Sequence, residues 1–140
     1  MRVIIFTFLI YLLFINKSYS LIEIDITRGN LDPLPIAVSP LHVDIKSEKY
    51  KELKIKNLGE NISAIIEKNF RNTGLFNPLK KDAFVQKPDI AHLKPRFEDW
   101  RLIKAQALVT GKLIIKEEKL KVEFRLWDLT AAKEMTALAF

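Results

Sequence analysis

Cysteine is absent from this 140-residue sequence, and glycine is scarce, with four residues. The first absence removes disulfide staples, thiol nucleophiles, zinc–thiolate sites and iron–sulfur clusters. The second removes phosphate-cradling loops, because Gly29, Gly59, Gly74 and Gly111 stand alone and no Gly-rich turn opens a helix. Only two histidines occur, His42 and His92. Neither lies in an HExxH or other metal-ligand spacing, so each reads as a solvated or core-edge residue. Ser39, Ser47 and Ser63 lack a G-x-S-x-G setting. The adjacent acids Glu98 and Asp99 fall on a predicted helix, where neighbouring side chains diverge by about 100°. Glu117 and Glu118 fall in a turn. General acid–base work needs carboxylates that converge in unlike environments. The sequence therefore reads as non-enzymatic, with no cofactor and no metal. No repeat of 20 to 50 residues is present, which excludes a propeller or solenoid within these residues.

One-signed charge is also missing. The sequence has 23 basic and 17 acidic residues, interleaved along its length, and no basic stripe alternates with aromatics. A mixed surface of this kind argues for solubility and against nucleic acid as a partner.

What the sequence does contain begins at its start. Arg2 precedes an unbroken apolar run over residues 3–15, closed by Asn16 and Lys17 and followed by Ser18-Tyr19-Ser20. A charged n-region, a short apolar core and small residues at the cleavage positions form a secretory signal peptide, with cleavage expected after Ser20. A spanning helix needs roughly 20 apolar residues, so stable membrane insertion is not expected. An uncleaved anchor is the alternative. Loss of residues 1–20 leaves 120 residues, enough for one domain.

Residues 21–27 alternate, with Ile22, Ile24 and Ile26 on one face and Glu23 and Asp25 on the other. Such alternation reads as a strand with one wet face. Residues 28–35 read as a loop broken by glycine and proline, and Ile36-Ala37-Val38 as a second strand. Residues 41–56 carry lysine and glutamate with few recurring apolar positions, which suits a solvated helix or a loop. A helix is predicted over residues 60–72, where Ile62, Ile65, Ile66 and Phe70 recur at spacings of three and four. Gly74 stops it and Pro78 prevents its resumption, with Leu75 and Phe76 placed to pack over the last turn. Residues 77–95 read as irregular, with residues 83–85 a candidate extended segment. A short helix over residues 97–104 is anchored by Trp100. A hairpin follows, with strands over residues 108–116 and 120–128. Residues 130–133 read as a turn and residues 135–140 as a further strand. This order predicts an α/β (α+β) domain, a small mixed sheet with helices packed on one face.

Several of these segments, taken in order, resemble the amino-terminal domain of the TolB family. They are the alternating strand after the signal, the Pro35-Ile36-Ala37-Val38 strand, and the Ile62-Ser63-Ala64-Ile65-Ile66 helix running into Asn72-Thr73-Gly74-Leu75-Phe76. Trp100-Arg101 ahead of Ala107-Leu108-Val109-Thr110-Gly111-Lys112, and Phe124-Arg125-Leu126-Trp127-Asp128, complete the set. The resemblance covers roughly residues 21–140. It implies a periplasmic, non-enzymatic adaptor of the Tol–Pal system, which serves outer-membrane integrity and invagination during division. By position, the family's TolA-binding segment falls on Leu21, Ile22, Glu23, Ile24, Asp25, Ile26, Thr27 and Asp32. The isoleucine face would add a strand to a partner's sheet, or pair within its own domain. Because the sequence stops at Phe140 inside the last hairpin, the domain is expected to be incomplete at its C-terminal end. The family's closing helix and propeller are missing, so contact with the lipoprotein Pal is not carried over. A truncated or split reading frame is one expectation. An unrelated exported domain that binds a ligand or peptide is the alternative function.

Overall fold

The computed structural model describes residues 32–45, 57–116 and 119–140, all within one compact unit, Leu31–Phe140. The expected strand over residues 21–27, the apolar leader, the charged residues 46–56 and the acids at 117–118 lie outside the described residues.

Strand β4 (Ala107–Lys116) organises the sheet. On one side it pairs antiparallel with β5 (Lys119–Asp128), in register from Ala107↔Asp128 to Lys116↔Lys119. On the other side it pairs in parallel with two short strands in succession. β1 (Leu34–Val38) aligns with Ala107 to Val109, and β2 (His42–Ile45) aligns with Lys112 to Ile115. β3 (Phe76–Pro78) adds in parallel to β1, and β6 (Lys133–Ala139) adds antiparallel to β5. The expected mixed sheet is thus present, with path order β3-β1-β4-β5-β6 and β2 also on β4.

β1 and β2 are two halves of one line, interrupted at Ser39-Pro40-Leu41. Pro40 has no N–H to give to a ladder. The Ser39 amide still donates to the Val109 carbonyl at 2.9 Å, but the Leu41 amide turns away and donates to the Gly59 carbonyl at 3.2 Å. Leu41 is 3% exposed. A Cβ on Gly59 would collide with the Leu41 carbonyl oxygen. One on Gly111 would stand 2.6 Å from the Glu123 carbonyl oxygen and 3.0 Å from Leu41 Cγ. Gly59 is therefore required by the Leu41 backbone, and Gly111 by the Glu123 carbonyl together with the Leu41 side chain.

Helix α1 (Leu58–Thr73) lies against one face of the sheet. Ile66 and Phe70 pack with Ile36, Val38, Ala107, Val109 and Leu126. The predicted stripe needs one correction. Ile65 is 60% exposed, while Ser63 is buried. Ile65 lies about 100° around the helix from Ile66, outside the buried arc that Gly59, Ser63, Ile66 and Phe70 define. The helix ends as expected at Gly74, with φ +71° and its amide donating to the Arg71 carbonyl. Phe76 does pack back, its ring 4.8 Å from that of Phe70, but Leu75 is exposed and does not.

Side chains alternate along a strand, so Ala37 and Leu108 point to the opposite face. There they meet Trp100, Trp127, Leu129 and Ala91. This second layer comprises a 3-10 turn (Lys81–Ala83), α2 (Pro88–Ala91) and α3 (Phe97–Leu102). The long helix occupies one face and these shorter elements close the other, so the helices are not confined to the single face expected, because the alternating side chains of β1 and β4 are apolar on both sides. Each tryptophan finds a partner for its indole N–H. Trp100 donates to Gln86 Oε1 and Trp127 to Thr110 Oγ1, both at 2.9 Å. Gln86 Oε1 also accepts from the Arg96 amide at 2.9 Å, which fixes the start of α3.

Replacing Gly111 by alanine should lower the unfolding free energy by about 1–3 kcal/mol, the usual cost of overpacking. The loss should exceed that of Thr130→Ala at an exposed turn position. Urea midpoints at unchanged slope would measure both, and equal midpoints would refute the close approach of the Glu123 carbonyl and Leu41 to Gly111.

Candidate functional site

Two surfaces of the described unit are shaped to receive something. The first is a cleft of about 470 Å³ whose lips come from β2 and α2, with Pro40, Leu41, His42 and Val43 on one side and Lys87, Pro88 and Asp89 on the other. At this cleft His42 and His92 stack face to face, with ring centroids 4.4 Å apart and planes within 4°. His42 opens β2 and is half-buried. His92 closes α2, is buried, and its Nδ1 lies 2.9 Å from the Pro88 carbonyl oxygen. A carbonyl can only accept, so Nδ1 carries the proton and donates. The His92 carbonyl in turn accepts from Arg125 Nη1 at 2.7 Å.

Charge around His42 is mixed. Lys112, its register partner on β4, forms an ion pair with Asp44 at 3.1 Å. Burial is the main influence that holds the His42 imidazole below its ordinary pKa. The neighbouring His92 and Lys112 add to this, and Asp44 and Asp89 partly oppose it. Glu60 lines the same cleft from α1.

The second surface is an apolar groove of about 290 Å³ between α1 and the last two strands, lined by Ile66, Phe70, Val109, Phe124, Leu126 and Leu138. It exists because β6 carries no covering element on that face among the described residues. Every β6 residue is exposed, and Phe140 continues the ladder, exchanging backbone hydrogen bonds with Val122 at 2.9 and 3.0 Å. The edge on the β3 side differs. β3 is three residues long and ends in Pro78, which blunts strand addition.

The residues singled out in sequence fall unevenly on this geometry. Asp32 is exposed, two residues ahead of β1, and residues 21–27 are outside the described residues. The acids on α3 serve local structure: Glu98 accepts from Arg101 at 2.9 Å and Asp99 pairs with Arg96 at 2.7 Å. Buried Ser39 and Ser63 both donate to nearby carbonyls, those of Pro40 and Glu60. Among the described residues no group of three or more His, Asp or Glu side chains is disposed to hold a metal. Among them, too, no helix is long and apolar enough to cross a membrane. The histidine stack has no local sequence signature, since its members come from different elements fifty residues apart.

Fold and surfaces together define a small mixed-sheet α/β domain whose polar side chains mostly tie elements together and whose open features are an edge, a groove and a cleft. Over residues 22–135 the sequence matches the TolB amino-terminal domain, and the chain belongs to that family. It is 61% identical over 137 residues to the Tol-Pal system protein TolB of Pelagibacter ubique (strain HTCC1062). That match takes in 96% of this chain and 31% of the relative, so the chain spans about a third of the length of that protein. Among solved structures, TolB from Acinetobacter baumannii superposes with a TM-score of 0.56 at 16% identity, covering 78% of this chain and 23% of that one. The C-terminal domain of LpoB from Salmonella enterica gives 0.57 at 9% identity, covering 81% and 84%. At such identities the structural likeness speaks for fold alone.

An exposed apolar edge promotes self-association, and an edge lysine suppresses it. Leu138→Lys should change stability by no more than about 1 kcal/mol, because the site is 55% exposed. It should also reduce concentration-dependent light scattering during refolding. Unchanged scattering would mean that β6 is not the sticky edge.

Proposed function

We propose that this chain acts as a periplasmic, non-enzymatic adaptor of the Tol–Pal type, exported by its first twenty residues. Its arm, residues 21–32, binds the periplasmic domain of a TolA-like inner-membrane protein. The observation that carries this reading is membership of the TolB amino-terminal domain family over residues 22–135. Chemistry agrees with position. Ile22, Ile24 and Ile26 alternate with Glu23 and Asp25, a pattern suited to strand addition, in which backbone bonds give affinity and alternate side chains give specificity. Asp32 ends the arm at an exposed point just ahead of β1. In this reading the folded unit presents the arm, and roles in outer-membrane integrity and division would follow from that contact.

A second reading has one specific observation in its favour, the apolar groove beside Phe70 and Leu126. An exported domain of this shape could hold a lipid tail or an apolar peptide there.

One titration separates the two. The chain starting at Leu21 should bind the TolA periplasmic domain saturably, and a version starting at Pro33 should not. Equal binding by both versions, or none by a chain with a cooperative melt, would sink the adaptor arm. A melting temperature raised by an added fatty acid would then favour the groove, because binding to the folded state alone stabilises it.

A further inference from the structure

Among the described residues, the histidine stack joins two elements that are otherwise tied to different partners, β2 to β4 and α2 through Ala91 to the core and through the His92 carbonyl to Arg125. β2 is four residues long, and among the described residues its sheet pairing is to β4 alone. α2 is a single turn, and its C-terminal cap is His92 itself. His42 lines the cleft and stacks on His92 beside it, at a centroid distance of 4.4 Å and with nearly parallel planes, so the rings meet over their faces. An imidazolium at His42 would lie against the His92 ring and beside Lys112, in a site where part of its hydration is lost.

We propose that the His42–His92 stack is a proton-operated clasp, which holds β2 to the α2 turn while His42 is neutral and releases both, opening the cleft, when His42 takes a proton. The groups that face His42 are identifiable from each neighbouring element. Asp44 lies on its own strand, Lys112 on β4, Asp89 and Lys87 at the start of α2, Glu60 on α1, and Arg125 of β5 reaches the His92 carbonyl. The carboxylates of Asp44 and Asp89 favour the charged ring, but Asp44 is also paired with Lys112 at 3.1 Å, which spends part of its field. Burial and the cations prevail.

The sign follows from linkage. The fold holds His42 below its ordinary value, and unfolding returns it there, so the folded state binds fewer protons. The stabilisation is complete above the free-imidazole value, about 6.5, and is lost as pH falls from there through the folded-state value. The clasp rests on the described unit alone and does not depend on the adaptor reading, so it can fail while TolA binding survives, and the reverse.

Amide hydrogen exchange on the protein as its cells process it, corrected for intrinsic rates, tests the clasp between pH 7.5 and 5.5. Protection of Val43 to Ile45 and of Ile90 to His92 should fall together, by severalfold, while the Val122 to Leu126 amides of β5 keep theirs. His42→Phe retains a flat ring that takes no proton, and its protection should stay level across the range. A loss spread evenly over the sheet, no loss at all, or the same loss in His42→Phe would overturn the clasp. Should that variant not fold, the ring resonances of the unaltered protein decide. A depressed midpoint for His42, with the His92 ring shifting in step, sustains the clasp. An ordinary His42 midpoint with a silent His92 ring overturns it.

Discussion

Leu41 is held between two glycines, and the sheet is organised around that contact. Pro40 breaks the line of backbone donors, which lets β1 and β2 share one side of β4 with a jog between them. The Leu41 side chain fills the jog from above Gly111, and its amide and carbonyl meet the first turn of α1 at Gly59. One residue thus sets the offset between two strands, the depth of β4 below the helix and the height at which α1 begins. Ile66 and Phe70 then fall over Val38 and Val109 because the N-terminus of α1 is already placed.

The opposite face is organised by polar bonds inside an apolar layer. An indole buried without a partner for its N–H would forfeit much of what its burial gains. Gln86 and Thr110 supply those partners, and Gln86 uses the same oxygen to hold the start of α3. Aromatic edges complete the layer, with Phe84 against Trp100 at 5.0 Å and Phe97 against Trp127 at 6.0 Å. Short helices with little stability of their own are kept in place by these side chains.

Local periodicity accounts for what was legible in the residues. The α1 repeat, the Gly74 stop and the β4–β5 hairpin each leave a pattern in a short continuous stretch, and all three are observed. The last strand was also legible, although it starts at Lys133, two residues before the expected position. β2 and β3 left no such mark. His42–Ile45 has only Val43 and Ile45 as apolar residues, and Phe76–Pro78 spans three residues and ends in proline. Both are strands because a neighbour offers a free edge, which is tertiary information. Pro35 was likewise assigned to a loop, yet it lies in β1, opposite Asn77 of β3. The exposure of Ile65 was hidden for a related reason, since a heptad-like count ignores the small residues Gly59 and Ser63 that lie flush with the sheet. Of the candidate site, the arm carried a readable alternation, whereas the histidine stack and the groove are products of folding.

The central position of β4 has a consequence for the order of events in the life of the chain. Ile36 pairs with Ala107 and His42 with Lys112, so the two parallel ladders on β4 close over about seventy residues of sequence. A chain made or threaded from its N-terminus can pair β1 with β3, but has no centre for the sheet until residue 107 is available. Helix α1 can flicker, but the surface it packs on does not yet exist. Such a topology delays compaction by geometry alone, for as long as β4 is withheld.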